Sequence, residues 1–223
     1  MFTGLIETTG TILAVEQREG SRRIAIAMPA GHGISLRTGD SIAVSGVCLT
    51  ALDIEPGRFH AELAAETVDR TSLSLLAPGS TVNLELPTAA GAPLGGHVVQ
   101  GHVDGTGTLL SLEPADVHAD PALADWRLRV AVPAQLSRYM VAQGSIAIEG
   151  ISLTIARWEP GTAEGDVVSV AIIPHTYART NLHALKARQP VNIEADVLIK
   201  FMEQRALKTH FDLSVEYLIA NGY

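Results

Sequence analysis

The chain repeats itself, and that repetition constrains the fold more than any single motif does. Residues 1–11 (MFTGLIETTGT) return as residues 98–108 (VVQGHVDGTGT), 97 positions later. Residues 39–50 (GDSIAVSGVCLT) return as 143–154 (QGSIAIEGISLT) at an offset of 104, and residues 66–73 and 82–85 return as 175–182 and 191–194 at an offset of 109. Four matched blocks in one order, with an offset that only grows, describe a tandem duplication with loop insertions. A period of this length is a whole domain, since solenoid and propeller units run to roughly 20 to 50 residues. The 223 residues therefore divide into two small domains and a remainder, expected at 1–97, 98–195 and 196–223. A function served by two similar sites follows.

Composition narrows the partners. A 47% hydrophobic and 18% charged chain builds an ordinary globular core. The net charge of −8, with no cluster of Lys and Arg, argues against a nucleic-acid surface and for a small-molecule or protein partner. One cysteine cannot close an intramolecular disulfide. No secretory leader pattern opens the chain and no apolar run reaches the length of a membrane span, so a reducing cytoplasm is the expected location and no membrane is expected.

The local pattern is that of strands. Residues 22–28 and 126–132 alternate with period two, and 41–50 mixes β-branched and small residues around a glycine. Residues 166–173 form a continuous apolar run ending at Pro174, as a buried strand does. With turn signals such as Glu55-Pro56-Gly57 and Ala77-Pro78-Gly79, each half reads as about six short strands. The expected architecture is mainly β, two tandem Greek-key six-stranded β-barrels followed by a C-terminal helix. One or two helical turns are expected after Glu66 and after His175. From Asp196 the period becomes helical (Val197, Leu198, Phe201, Met202, Arg205), and a second short helix is expected from Asp212 to Gly222. This tail occurs once for two barrels, so its apolar face packs either on its own barrel or on another subunit.

Chemistry enters where the repeat fails. Cys48 in GVCLT is replaced by Ser152 in GISLT, so two sites of one shape differ in their nucleophile. The competing reading of Cys48 is inert packing. Leu5 is replaced by His102, five residues after His97. On a strand that odd spacing points the two rings to opposite faces and no second soft ligand is at hand, so no metal site is expected. Beside glycines at the junction of the repeats, such a histidine serves as an acid, a base or a polar ligand contact, or simply lies on a surface loop. Phosphate-loop, dinucleotide-fingerprint and nucleophile-elbow patterns are absent.

The opening MFTG, the GVCLT and GISLT pair, the linker GGHVVQGHVDG, the IPHT block and the two VNxE strands together resemble the riboflavin synthase family, α-chain type, over residues 1–205. The resemblance implies two lumazine-binding barrels, a homotrimer assembled through the C-terminal helix, and active sites between the first barrel of one chain and the second of its neighbour. It implies dismutation of two 6,7-dimethyl-8-ribityllumazine molecules to riboflavin and 5-amino-6-(D-ribitylamino)uracil by transfer of a four-carbon unit, with no cofactor. Association with lumazine synthase belongs to the same implication. By position, it makes His102, Cys48, Ser152, Ser41 and Asp196 catalytic, with His102 as proton shuttle. It makes Phe2, Gly4, Val47, Thr50, Glu66, Thr67, His97, Gly101, Val103, Thr154, His175 and Thr176 substrate-binding. Ser45, Leu86-Pro87 and Arg138 depart from the family pattern, and an arginine at 138 keeps a charge but holds its proton. The rival readings are a non-catalytic antenna-type relative that only binds lumazine or flavin, and a structural barrel protein that assembles through its tail. Cys48, Ser152, His97 and His102 favour the enzyme over the first, since a pure binder need not keep reactive groups, and the second leaves the unequal Cys/Ser and His placements unexplained.

Overall fold

The computed structural model describes residues 1–31, 33–116, 118, 120 and 123–208, with side chains to 206. The first half carries β1 (Thr8–Arg18), β2 (Ser21–Ala27), β3 (Ser41–Val44), β4 (Val47–Thr50), β5 (Leu52–Glu55), β6 (Arg58–Ala64), α1 (Ala65–Arg70) and β7 (Thr81–Glu85). The second carries β8 (Gly105–Pro114), β9 (Trp126–Val132), α2 (Ala134–Ser137), β10 (Ser145–Ile148), β11 (Ile151–Thr162), β12 (Gly165–Ile172), α3 (Pro174–Arg179) and β13 (Pro190–Ala195), and α4 (Val197–Lys208) follows. A 3-10 turn follows α1 (Ser72–Leu75) and another follows α3 (Asn181–Ala184). The expected second tail helix lies outside the described residues.

The second half is a closed six-stranded barrel in the order β10-β11-β12-β9-β8-β13. The first half follows the same path as seven strands, β4-β3-β7-β1-β2-β6-β5, because the counterpart of the long β11 is broken at Ala51 into β4 and β5. Those two pieces sit at opposite edges of the sheet yet are separated by one residue, so the chain itself joins the edges. Alternation produced this result: Leu128, Val130 and Val132 of β9 are buried while Arg127 and Arg129 face outward. Each barrel encloses its own core, Ile26, Phe59, Leu63 and Leu84 in the first and Leu128, Val168, Ile155 and Ile193 in the second. Fully buried side chains of this size contribute about 1.5–3 kcal/mol each.

The barrels meet along a pseudo-two-fold seam that begins with two tight turns. Ser45-Gly46 (φ 45° and 81°) and Glu149-Gly150 (φ 51° and 78°) each join paired strands through two left-handed residues, the turn whose twist suits a two-residue hairpin. The turns lie back to back. A Cβ on Gly46 would come within 2.7 Å of the Gly150 nitrogen, and one on Gly150 within 2.6 Å of the Gly46 nitrogen. Around them the bonds are reciprocal. Asn83 Nδ2 donates to the Glu149 carbonyl and Asn192 Nδ2 to the Ser45 carbonyl, each at 2.9 Å. Asn83 Oδ1 accepts from the Asn181 N–H at 2.6 Å, and Asn192 Oδ1 from the Ser72 N–H at 2.7 Å. Buried amides placed this way satisfy one another's turns and strand ends across the seam.

This geometry predicts unequal costs for two glycine substitutions. Gly79→Ala (φ 90°, nothing within 4 Å of the added carbon) pays the left-handed backbone cost alone, whereas Gly46→Ala also forces the seam apart. Urea unfolding should give a loss of about 1–2 kcal/mol for Gly79→Ala and at least about 3 kcal/mol for Gly46→Ala. Equal losses would show that the turns do not pack as described.

Candidate functional site

The nucleophile pair points out of the barrels. On β4, Val47 and Leu49 are buried while Cys48 is half-buried and Thr50 exposed; on β11, Ile151 and Leu153 are buried while Ser152 is half-buried and Thr154 exposed. Ser41 is the cross-strand partner of Thr50, as Ser145 is of Thr154. β4 packs beside β6, whose exposed Ala64 leads into α1 with Glu66 and Thr67. The corresponding end of β12 leads through the exposed Ile173 into α3 with His175 and Thr176. Each barrel therefore carries an outward-facing strip of small and hydroxyl-bearing residues. In the first strip Glu66 is ion-paired with Arg70 at 3.2 Å. A cavity of about 580 Å³ continues the second strip along the same strands, lined by Ala156, Ala171, Trp126 and Arg157 among others.

Each strip is covered by the other repeat's leading segment. Phe2 and Val99 exchange backbone bonds at 2.7 and 3.1 Å, so the two segments cross at the seam. Beyond the crossing, the Gly101 carbonyl accepts from the Cys48 N–H at 2.9 Å, and the Gly4 carbonyl from the Ser152 N–H at 2.8 Å. Ile6 packs on the second core and Val103 on the first. Gly4 and Gly101 are required here: φ is 74° and 78°, and a Cβ would lie 2.6 Å from that of Ser152 or 2.7 Å from that of Cys48. His102 thus stands exposed beside Cys48's loop contact, and its counterpart Leu5 stands beside Ser152.

Two buried carboxylates clasp these loops. Glu85 accepts the N–H groups of Thr3 and Gly4 and the Thr3 hydroxyl, the shortest at 2.6 Å. Glu194 accepts the N–H groups of Gln100, Gly101 and His102 at 2.7–3.0 Å. Burial pushes both carboxyls above the usual range, and the N–H donors pull them back. The sequence carries both as matched strand-end glutamates, but their role as clasps needs the loops in place.

The two sites differ most at His97. Its Nδ1 lies 2.7 Å from Ser152 Oγ, while its Nε2 is buried with no hydrogen-bond partner among the described residues. Burial lowers the imidazole below its ordinary value, and the Asp196 carboxylate pulls the other way. A neutral ring accepting the Ser152 proton at Nδ1 carries its own proton at Nε2, an orphan donor at the edge of the site. Gly96 admits this approach, because a Cβ there would lie 2.2 Å from the Thr3 carbonyl oxygen. His97 thus gains a partner that its expected ligand-contact role did not include. Of the sequence-predicted residues, Ser152, Thr154, His97, Asp196, Gly4, His175 and Thr176 belong to the second site. Cys48, Thr50, Ser41, Glu66, Thr67, Gly101, His102 and Val103 belong to the first, and Phe2 lies buried at the crossing. Val47, expected to bind substrate, instead points inward from β4 into the first barrel's core, because it alternates with the outward-facing Cys48. Among the described residues no three His, Cys, Asp or Glu side chains converge to hold a metal ion, and no helix is long and apolar enough to cross a membrane.

The chain matches the family profile described as lumazine binding domain twice, at residues 3–87 and 100–196. It is 41% identical over 211 residues to riboflavin synthase of Mycobacterium bovis, covering 92% of this chain and 97% of that one. It is 35% identical over 235 residues to riboflavin synthase of Bacillus subtilis, covering 100% of both. Among solved structures, LumP complexed with riboflavin superposes with a TM-score of 0.75 at 23% identity, over 87% of this chain and 99% of that one. LumP complexed with flavin mononucleotide gives a TM-score of 0.74 at 22% identity, with the same coverage. At that identity the likeness is one of fold.

The state of His97 is open to measurement. Because its folded-state pKa lies below the ordinary 6.5, the unfolded chain takes up the proton first, so the stability gained by burying a neutral ring is whole above that value and is lost as pH falls. The His97 resonance should titrate below 6.5 by NMR, and the stability gap between wild type and His97→Gln should narrow from about pH 7.5 to about pH 5.5. A midpoint at or above the ordinary value would overturn the assignment.

Proposed function

The chain belongs to the lumazine binding domain family, and on that premise we propose that it is a riboflavin synthase whose two strips each hold one molecule of 6,7-dimethyl-8-ribityllumazine. The observation that carries the reading is the pairing of two equivalent outward strips with unequal chemistry: an imidazole-partnered hydroxyl at Ser152 and a thiol with an exposed histidine nearby at Cys48. The reaction asks for that combination. Two copies of one compound become riboflavin and 5-amino-6-(D-ribitylamino)uracil, one giving and one receiving four carbons, with atoms and electrons balanced between them. Like binding surfaces hold like substrates, and unlike side chains assign opposite roles. A binder alone needs no such inequality, and the full-length similarity to riboflavin synthases favours the enzyme over the antenna-type alternative.

In this mechanism Thr50, Thr67 and Ser41 on one strip, and Thr154 and Thr176 on the other, offer hydroxyls to the ligands, with Glu66 and His175 at the helix ends. Gly4, Gly101 and Val103 shape the backbone around them, Val47 supports Cys48 from the core side, and Phe2 seals the crossing. His102 removes a proton from the 7-methyl group of one lumazine. Cys48 and the His97-supported Ser152 polarise or add to the electrophilic ring or orient water there, with Asp196 holding charge near His97. A thiol needs less help than a hydroxyl to act as a nucleophile, which suits the presence of a histidine partner at Ser152. Holding two reactants in a near-attack pose supplies about 7–11 kcal/mol of the barrier reduction.

The reading extends to assembly. Leu198, Phe201 and Met202 of α4 are 59–66% exposed, and a homotrimer formed through that helix would set the first strip of one chain against the second strip of its neighbour. The division into barrels at 1–97 and 98–195 with an oligomerising tail at 196–223, a cytoplasmic location and association with lumazine synthase belong to the same proposal.

Incubation with the lumazine, followed by riboflavin absorbance, tests the activity directly. His102→Gln should lower kcat by about 10²-fold or more, as loss of a general base does. Cys48→Ser should lower it without abolishing binding. Tight binding with no turnover by the wild-type protein would leave the antenna-type reading in place.

A further inference from the structure

Helix α4 is anchored to the loop that carries His102. Lys200 Nζ donates to both Asp104 oxygens at 3.0 and 2.9 Å, with 20% and 21% of the two side chains exposed. Asp104 Oδ2 also accepts the Ala195 N–H at 2.8 Å, so one carboxylate joins the end of β13, the helix and the loop. The neighbouring Glu194 takes the three N–H groups of Gln100, Gly101 and His102. In the first repeat Glu7 makes the equivalent bond to the Leu86 N–H at 2.8 Å, but no cation pairs with it among the described residues. The repeats thus share the clasp and differ in the ammonium added by a helix that exists once.

We propose that Lys200 is a positioning residue: by holding Asp104 it keeps the Gln100–His102 loop seated on Cys48, so that the docking of α4 sets the geometry of the first-barrel site. The catalytic half of this inference rests on the riboflavin synthase reading; the anchoring half does not. Gly101 accepts the Cys48 N–H at 2.9 Å and packs so closely that an added carbon would lie 2.7 Å from Cys48 Cβ. A loop released from Lys200 therefore uncovers Cys48. The chain has one cysteine, which makes its thiol a clean reporter of the loop.

The experiment compares wild type, Lys200→Met, Lys200→Arg and the exposed-site control Lys186→Met. Cys48 labelling by a chromogenic disulfide and steady-state kinetics with the lumazine are the two readouts. Lys200→Met should label about tenfold faster, as expected for a local opening made easier. It should lose about tenfold in kcat with KM changed less than about twofold, the pattern of a misplaced rather than unbound substrate. Lys200→Arg, which keeps the charge, should restore both, and Lys186→Met should match wild type. Where Lys200→Met does not fold, Asp104→Asn carries the same expectations. Labelling at the wild-type rate overturns the anchoring, and faster labelling with unchanged kcat overturns the positioning. Equal impairment of the Met and Arg variants assigns the effect to packing and also overturns it. A wild-type protein that forms no riboflavin would sink the functional reading alone, since labelling still decides the anchor.

Discussion

A carboxylate buried at the end of a strand must find donors, and Glu85 and Glu194 find theirs on the backbone of a loop that belongs to the crossing between repeats. Leaving such a group unpaired would cost several kcal/mol, so each loop is tied to its strand end. The loops then place Gly4 on Ser152 and Gly101 on Cys48, at separations that no other residue type allows. The covering of both nucleophiles starts from two glutamates, to which Asp104 and Lys200 add at Cys48.

The seam adds a second constraint of the same kind. Glu149 accepts from Asn192 N–H and the Ser72 hydroxyl on one oxygen and from Asn181 Nδ2 on the other, deep between the barrels. Burial pushes its carboxyl upward and these donors oppose the push. Its counterpart Ser45 offers a hydroxyl where Glu149 offers two oxygens, so the network is symmetric in its amides and unsymmetric at its centre. A buried polar network of this sort specifies one docking of the barrels, because any slip along the seam strands several donors at once.

Much of this was legible in the sequence, and for a physical reason. Strand character was legible at 41–50 and the repeat carries it to 143–154, but which face Cys48 and Ser152 take emerges only with Val47 and Ile151 seen buried beside them. The helical turns after Glu66 and His175 were legible from the loss of alternation, and the helix after Asp196 from its helical spacing. The crossing of the leading segments was not legible, because alternation says nothing about which barrel a loop covers. The contact of His97 with Ser152 spans 55 positions, and that of Lys200 with Asp104 spans 96. Neither recurs in the repeat, and repetition was the signal that exposed the rest.

Crossing the segments also changes what a duplication can do. Had each loop stayed on its own barrel, the two sites could drift apart independently, one free to lose its chemistry while the other worked. Here the first repeat's Gly4 and Leu5 border the nucleophile of the second, and the second repeat's Gly101 and His102 border that of the first. A substitution in either leading segment is therefore felt at the other barrel's site. A reaction between two molecules of one compound needs both sites at once, so a structure in which neither barrel can assemble its site alone suits it better than two self-sufficient domains would.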